Sequence, residues 1–215
     1  MPTSDSPQHP FLLNAIKRTH QALIHARRVR VLAQALAAQI PQDASVLDIG
    51  CGDGTIAALI AQQRSDISIK GVELLPRPDC QIPCQPFDGS TLPFPDNSVD
   101  LCMLVDVLHH TTDVNILLRE AARVSRAYVL LKDHLSENPF DHATLRLMDW
   151  VGNRPHGVIL PYNYQSRAQW TAHFAAANLQ PVVFTTAIPL YPAPASLLVG
   201  RNLHFLALLQ KSQPL

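Results

Sequence analysis

The chain has 215 residues, of which 47% are hydrophobic, and this suffices for one α/β domain with a substantial core. Basic and acidic residues number 17 each, so no overall positive charge favours a nucleic-acid partner. No apolar run reaches the roughly 18 residues of a membrane span, and the first residues show no secretory signal. The four cysteines are scattered, which predicts reduced thiols and a cytoplasmic protein.

Two of the cysteines, Cys80 and Cys84, are separated by three residues, a spacing found in half of a metal site. No second cysteine or histidine pair at zinc-finger spacing accompanies them. We therefore predict no metal.

The first helical pattern covers residues 11–40. Its apolar residues recur at i, i+3, i+4 and i+7, namely Val29, Leu32, Ala33 and Leu36. The other face is basic, and Pro41 ends the helix. Two interpretations remain open. The basic face is a solvated face of a helix packed on the sheet, or part of the helix closes over the cofactor or contacts an acidic group or a membrane surface. We expect residues 1–40 to form an N-terminal helical cap.

A strand, a glycine loop and a helix follow in direct succession. The apolar run Ala44–Ile49 enters the sequence Gly50-Cys51-Gly52-Asp53-Gly54, and a helical pattern then runs from Thr55 to Gln63. A strand that meets a helix through a glycine loop is the nucleotide-binding unit of doubly wound α/β domains. A dinucleotide loop has its third glycine five residues after its first, where this chain has Thr55. A nicotinamide enzyme is therefore disfavoured.

The second strand, residues 67–72, ends at Glu73, 25 residues after Asp48. An acid at this strand end suits hydrogen bonds to the ribose of a nucleotide on the glycine loop. Only a short proline-containing segment leads to the next apolar stretch, Cys80–Cys84. A parallel crossover normally needs a dozen or more residues, so we expect its helix to be reduced to a turn or the third strand to be short and displaced.

Two later strands each end in acids and imidazoles. The first, Val99–Val105, precedes Asp106, His109 and His110; the second, Tyr128–Leu131, precedes Lys132, Asp133 and His134. Ligands of open α/β sheets bind at the carboxyl ends of strands, so these side chains are candidates for chemistry. Between the strands, Asp113 is expected to cap a helix from Val114 to Ser125.

Residues 135–166 match no standard core element and are rich in aromatic and polar groups. We expect them to form a lid over the acceptor, with a packing flap over the sheet edge as the alternative. The candidate recognition residues in this segment are Asp149, Trp150, Asn153, Arg154, His156, Tyr162, Asn163 and Tyr164.

The end of the chain predicts a helix and a hairpin. Ser166 is expected to cap a helix that runs to Ala177. Residues 181–188 and 203–209 are predicted to be antiparallel strands. Arg201 and His204 receive no functional role.

Four features together resemble small class I S-adenosylmethionine-dependent methyltransferases, including those of quinone biosynthesis: Val46–Gly54, Glu73, Asp88-Gly89 and Leu92–His110. The resemblance implies one methyltransferase domain over residues 1–215. Its fold would be α/β, with a doubly wound, seven-stranded, mostly parallel sheet, an antiparallel final strand and an N-terminal helix. It also implies S-adenosylmethionine as cofactor.

The resemblance further assigns residues to parts of that cofactor. Asp48 and the backbone of Gly50, Cys51, Gly52 and Gly54 would hold the methionine part, Glu73 the ribose, and Asp88, Gly89 and Leu74 the adenine. Asp106, at the same sheet edge, is included in the cofactor site. A plain Asp-Gly turn is the alternative for Asp88.

The expected activity is methyl transfer to a small apolar or aromatic metabolite, to oxygen rather than carbon. His110, then His134 and His109, are the candidate general bases, with Asp106 or Asp133 orienting an imidazole. A carboxylate acceptor would need no base. Methylation of protein or nucleic acid and a non-catalytic cofactor-binding module remain as alternatives. The acceptor's identity and the oligomeric state do not follow from the sequence.

Overall fold

The computed structural model describes residues 26–153, 161–191 and 202–212, which contain seven strands and five helices. The strands are β1 (Ser45–Ile49), β2 (Ser68–Glu73), β3 (Cys84–Pro86), β4 (Val99–Val105), β5 (Ser125–His134), β6 (Leu179–Thr185) and β7 (His204–Lys211). The helices are α1 (26–37), α2 (Thr55–Gln63), α3 (Val114–Val124), α4 (Pro139–Asn153) and α5 (Arg167–Ala176), with a 3₁₀ turn at Leu108–His110.

The strands form one sheet in the order β3-β2-β1-β4-β5-β7-β6. Neighbours from β3 to β5 pair in parallel, whereas β7 is antiparallel to both β5 and β6. The predicted doubly wound sheet with an antiparallel final strand is thereby confirmed. The strand order reverses between β1 and β4, and such a reversal opens a crevice at the carboxyl ends of the strands.

Side chains along the inner strands point alternately to the two faces of the sheet, and a separate hydrophobic core covers each face. Leu47 and Ile49 of β1 belong to the cluster that includes α3 and α5. Val46 belongs to the opposite cluster, with Leu32 of α1 and Ile60 of α2. Successive side chains of a strand point to opposite faces, so a continuous apolar strand needs helices on both sides.

The connection from β2 to β3 departs from the usual βαβ unit. Residues 74–83 contain no helix, and β3 has only three residues. Backbone hydrogen bonds fix this connection instead. Gly71 N–H donates to the carbonyl of Pro83 (2.8 Å), and Gln81 N–H donates to the carbonyl of Asp53 (2.9 Å). The sequence-based expectation of a turn and a short strand agrees with this arrangement.

Strand β5 continues three residues beyond its predicted end at Leu131. Lys132, Asp133 and His134 pair with Leu206, Phe205 and His204 of β7. All three of these β5 side chains are buried. The predicted strand ended before the first charged residue, Lys132. In the structure, hydrogen bonding to the antiparallel strand β7 extends β5 through the charged residues.

Helix α4 lies within the segment that the sequence analysis treated as irregular. Asn138 precedes Pro139, and its Oδ1 accepts the backbone N–H groups of Phe140 and Asp141 at 3.0 Å each. An asparagine cap followed by proline at the first helical position is a helix start signal. Leu145 of this helix is buried in a small separate cluster with Tyr164 and Leu203.

The carboxyl-terminal part contains the predicted capped helix and hairpin. Ser166 and Gln169 form a reciprocal capping box at the start of α5. Strand β6 lies at the sheet edge, with a register shift between Pro181 and Val183. The hairpin connection at 192–201, the first part of the N-terminal helical cap, and Arg154 and His156 of the lid lie outside the described residues. Among the helices that the structure describes, none combines the length and hydropathy needed to cross a membrane.

Candidate active site at the strand ends

The glycine loop after β1 adopts the conformation that its composition permits. Gly50 and Gly52 have φ angles of 71° and 60°, in the left-handed region that side chains rarely enter. A Cβ atom on Gly50 would lie 2.8 Å from Cγ2 of Val107, so the loop packs closely against the end of β4. A Cβ on Gly52 would meet nothing within 4 Å, so this glycine borders open space.

Two predicted carboxyl groups flank that loop. Glu73, at the end of β2, accepts the backbone N–H of Gly52 at 2.8 Å and that of Leu74 at 2.8 Å. Asp48 is buried within β1, and its burial, together with the nearby Glu73, raises the pKa of Asp48 to about 8. A cation brought beside Asp48 would therefore favour its ionised form.

The Asp88-Gly89 turn lies beside Leu74, the other residue predicted for the adenine site. One carboxylate oxygen of Asp88 accepts the backbone N–H groups of Ser90 and Thr91, at 2.8 and 2.6 Å. These hydrogen bonds lower the pKa of the exposed Asp88. A Cβ on Gly89 would lie 3.5 Å from Leu74, whose side chain is 55% exposed.

The acids and imidazoles at the ends of β4 and β5 converge into one buried cluster. His109 Nδ1 lies 2.7 Å from Oδ1 of Asp133, and His109 Nε2 lies 3.6 Å from a carboxylate oxygen of Asp149. Burial opposes protonation of His109, but Asp133 outweighs it and raises the pKa of His109. The carboxyl–imidazole pair expected for this edge therefore forms between Asp133 and His109.

His134 is enclosed in the same cluster. Its Nδ1 lies 3.2 Å from Nδ1 of His109, and its backbone carbonyl accepts the indole N–H of Trp170 at 3.0 Å. Burial and the neighbouring His109 lower the pKa of His134. This imidazole is only 3% exposed, so it reaches the surface less readily than His110.

His110 lies at the edge of the cluster and is partly exposed. Its ring centroid is 4.0 Å from that of His109. Burial and the charge of His109 lower the pKa of His110 to about 4, so this imidazole is neutral at physiological pH. Its Nδ1 is buried and has no hydrogen-bond partner among the described residues.

Asp106 occupies an ion cluster that the sequence analysis missed. Arg28 of α1 donates to its Oδ2 at 2.8 Å, and the buried ammonium of Lys132 makes a very short contact with its Oδ1. Lys132 also lies 3.3 Å from His204. These cations hold the pKa of Asp106 well below its usual range despite burial. His204, given no role from the sequence, is buried.

Within the part of the chain that the structure describes, two sets of side chains have the atom types and spacing of metal ligands. One comprises Asp106, His109, Asp133 and His134, and the other Cys51, Cys80 and Cys84. In the first set the Lys132 ammonium already contacts Asp106 and supplies the compensating positive charge. We therefore treat the first set as a charge-balanced network of the protein itself.

The expected lid contributes aromatic groups that border the cluster. The phenol of Tyr164 makes a very short hydrogen bond with Asp149, and its ring lies 5.9 Å from that of His109. Tyr162 lies 6.3 Å from Tyr164, and Asn163 N–H donates to the His109 carbonyl at 3.3 Å. The predicted lid residues thus reach the strand ends through the segment 162–164.

Comparison with known proteins identifies the chain. A family model described as "Methyltransferase domain" matches residues 20–183. The chain belongs to this methyltransferase family. It is 31% identical over 110 residues to 27-O-demethylrifamycin SV methyltransferase of Amycolatopsis mediterranei (strain S699), covering 44% of this chain and 40% of that protein. It is 27% identical over 131 residues to ajmaline N-methyltransferase of Rauvolfia serpentina, covering 51% and 45% respectively.

Solved structures agree with this assignment at the level of fold. An S-adenosylmethionine-dependent methyltransferase from Mesorhizobium loti superposes with a TM-score of 0.61 at 17% identity, covering 83% of this chain and 96% of that one. The chain spans less than half the length of these two curated relatives. The finer resemblance to quinone-biosynthesis enzymes gains no specific support from these proteins.

S-adenosylmethionine is the methyl donor of this methyltransferase. The geometry of the loop suits that donor. Gly52 faces open space, and Glu73 lies at its N–H, where the carboxylate can also accept ribose hydroxyls. The acid and the glycines were recognisable from their spacing. The basic face of α1 suggested contact with an acidic group, but the sequence did not assign Arg28 and Lys132 to Asp106.

Proposed function

We propose that this methyltransferase transfers a methyl group to an oxygen atom of a small apolar or aromatic metabolite. The observation that carries the proposal is the buried Nδ1 of His110, which has no hydrogen-bond partner among the described residues. Leaving a buried polar atom unpaired is costly, and an acceptor hydroxyl would supply the missing partner. The imidazole is neutral, so it can take the hydroxyl proton.

An apolar acceptor is supported by the surface of α4. A groove of about 340 Å³ is lined by Ala143, Arg146, Leu147, Trp150 and Tyr162. Leu147 and Trp150 have exposed apolar surface, and Tyr162 connects this groove to Tyr164 and the imidazole cluster. Small-molecule sites combine apolar walls with few convergent polar groups. We propose that the acceptor binds between this groove and His110.

In this proposal, the residues of the chain have the following roles. Asp48, the loop Gly50–Gly54, Glu73, and Leu74 with Asp88-Gly89 bind and orient the cofactor, which supplies an already activated methyl group. Asp133 fixes His109, and burial together with the positive charge of His109 keeps His110 neutral. His110 accepts the acceptor proton, and the lid segment excludes water from the strand ends. Asp106 anchors α1 over this edge through Arg28.

The pKa of His110 narrows the class of acceptor. A neutral imidazole whose pKa is lowered to about 4 is a weak base, so it takes a proton more readily from an acidic hydroxyl than from a weakly acidic one. Phenolic and enolic hydroxyls are therefore favoured over aliphatic alcohols, and the phenols of quinone pathways belong to this class. We also propose a cytoplasmic location, which the four free cysteines support.

An acceptor panel tests this proposal. The full chain is incubated with S-adenosylmethionine and phenols, aliphatic alcohols, amines, RNA or an unmodified protein, and S-adenosylhomocysteine formation is measured. We expect turnover with phenols. Turnover confined to RNA or protein would contradict a small acceptor, and tight cofactor binding without turnover on any member of a broad panel would favour a non-catalytic module.

Substitution of His110 tests the role of the base. His110→Gln is expected to lower kcat by about 100-fold or more while leaving the dissociation constant of the cofactor unchanged, as removal of a general base does. His173→Gln is the matched control, because His173 lies on α5 and its Nδ1 is 2.9 Å from Oδ1 of Asn115. Equal turnover for the two variants would remove His110 from the mechanism.

A further inference from the structure

Three of the four cysteines meet beside the cofactor loop. Cys51 belongs to the loop itself, Cys80 to the irregular segment before β3, and Cys84 to the first position of β3. Their sulfur atoms all lie within 4.8 Å of one another, and those of Cys51 and Cys84 are 3.4 Å apart. The sequence analysis considered only Cys80 and Cys84, because Cys51 is 33 residues from Cys84.

The surrounding chain makes room for these three sulfur atoms. A Cβ on Gly71 would lie 2.5 Å from the sulfur of Cys51, and one on Gly54 would lie 3.1 Å from that of Cys80. The side-chain amide of Gln81 donates to the hydroxyl of Thr55 at 2.6 Å, which ties the cysteine segment to α2. The cluster is therefore built by several separate features of the chain.

We propose that Cys51, Cys80 and Cys84 bind one zinc-class divalent cation through three thiolates. An ion about 2.3 Å from each sulfur separates the sulfurs by about 3.8–4.0 Å, which falls within the observed range after small side-chain adjustments. The carboxylate of Glu73 lies close enough to Cys84 to act on its thiol electrostatically and adds negative charge to the surroundings. All three cysteines are partly exposed, so the cation can enter and a water molecule can complete a tetrahedron.

Binding of the cation releases protons from the thiols and changes no oxidation state. Three sulfur–metal bonds form, three S–H bonds break, and three protons pass to the solvent. The occupied cluster joins β3 to the cofactor loop through Cys51, which lies between Gly50 and Gly52. The site thus goes beyond methyl transfer and does not depend on the acceptor proposed above.

Cobalt(II) provides a direct spectroscopic test with the reduced, full-length chain. We expect one equivalent of Co²⁺ to produce thiolate-to-metal charge-transfer bands and the visible bands of a tetrahedral site, and Zn²⁺ to displace it. Cys84→Ser and Cys80→Ser should each weaken Co²⁺ binding by at least the roughly 10- to 100-fold that follows loss of a residue that merely orients a ligand. Cys102→Ala is the matched control, because Cys102 is buried in β4, away from the cluster.

Three results would overturn the proposal. The first is the absence of thiolate charge-transfer bands in the folded wild-type chain. The second is equal loss of binding in Cys102→Ala and in Cys84→Ser. The third is a Cys51–Cys84 disulfide after mild peroxide treatment in a chain that binds no cobalt when reduced, which would make the cluster a redox pair. Circular dichroism of each variant verifies folding, and Cys80→Ser replaces Cys84→Ser if the latter does not fold.

Discussion

Replacement of Asp133 by asparagine tests the buried network most directly. The wild-type carboxylate is fully buried and accepts three groups: the imidazole of His109 at 2.7 Å, the N–H of His134 at 2.7 Å and the N–H of Leu108 at 3.0 Å. Asparagine has the same shape but only one acceptor oxygen. Its amide must therefore face one of these donors.

The expected loss of stability follows from these contacts. Losing a charge-assisted hydrogen bond from His109 costs about 1.5–3 kcal/mol, and leaving one buried N–H unsatisfied costs about 1–3 kcal/mol more. We expect the free energy of unfolding to fall by about 3–5 kcal/mol in Asp133→Asn. For a chain of this length that corresponds to a melting temperature lower by roughly 6–20 °C.

The loss should also depend on pH. Because the pKa of Asp133 is lowered in the folded chain, its contribution to stability is complete above the pKa of an unfolded aspartate, about 3.9. That contribution is lost as the pH falls toward the folded pKa. The raised pKa of His109 makes its contribution complete below about 6.5 and lost as the pH rises through its folded pKa. The difference in the free energy of unfolding between wild type and Asp133→Asn should therefore be largest between about pH 4 and 6.5 and smaller at alkaline pH.

Urea denaturation of both proteins across this pH range provides the measurement. Asp66→Asn is the control: Asp66 forms a surface ion pair with Arg64, and loss of this pair should change the free energy of unfolding far less than Asp133→Asn does. A destabilisation of Asp133→Asn below about 1 kcal/mol, or one that is independent of pH, would refute the assignment of a charged His109–Asp133 pair.

Three further predictions concern the loop and the core. Gly52→Val should weaken cofactor binding at least about tenfold by calorimetry, because a side chain at φ 60° would enter the open space that borders the loop; unchanged affinity would refute the loop assignment. Glu73→Gln should weaken cofactor binding about tenfold while leaving the melting temperature nearly constant, since the amide oxygen still accepts Gly52 N–H and the exposed Leu74 N–H can bond to water instead; an equal affinity would exclude a charged contact. Trp170→Phe should lower the free energy of unfolding by about 2 kcal/mol in urea titrations, because its bond to the His134 carbonyl is lost; a neutral effect would mean that this bond contributes nothing.

The fold could be predicted from the sequence because its signals are local. The glycine loop, the apolar strands and the caps at Asp113 and Ser166 each depend on residues a few positions apart. The start of α4 also had a local signal, Asn138 before Pro139, which the aromatic and polar composition of the segment obscured. Strand β5 was predicted too short because charged residues after an apolar run usually indicate that the strand has ended, whereas here they are buried within it.

The partners of those buried charges could not be predicted from the sequence. Arg28 is 78 residues from Asp106, and His204 is 72 residues from Lys132. A charge pattern within one segment gives no sign of a counter-ion supplied by a distant helix or strand. The same reason explains why Cys51 was not connected with Cys84, and why the imidazole that pairs with Asp133 could not be chosen from sequence alone.

The two edges of the sheet bear on how the molecule behaves at high concentration. Strand β3 has three residues and ends in Pro86, whereas β6 contains Pro181 and a register shift beside it. Proline lacks the N–H that a neighbouring chain would use, and short or irregular edges are poor templates for intermolecular strand pairing. Sheet-mediated aggregation is thereby discouraged at both ends, and substitutions that lengthen or straighten these strands carry the greatest risk of creating insoluble protein.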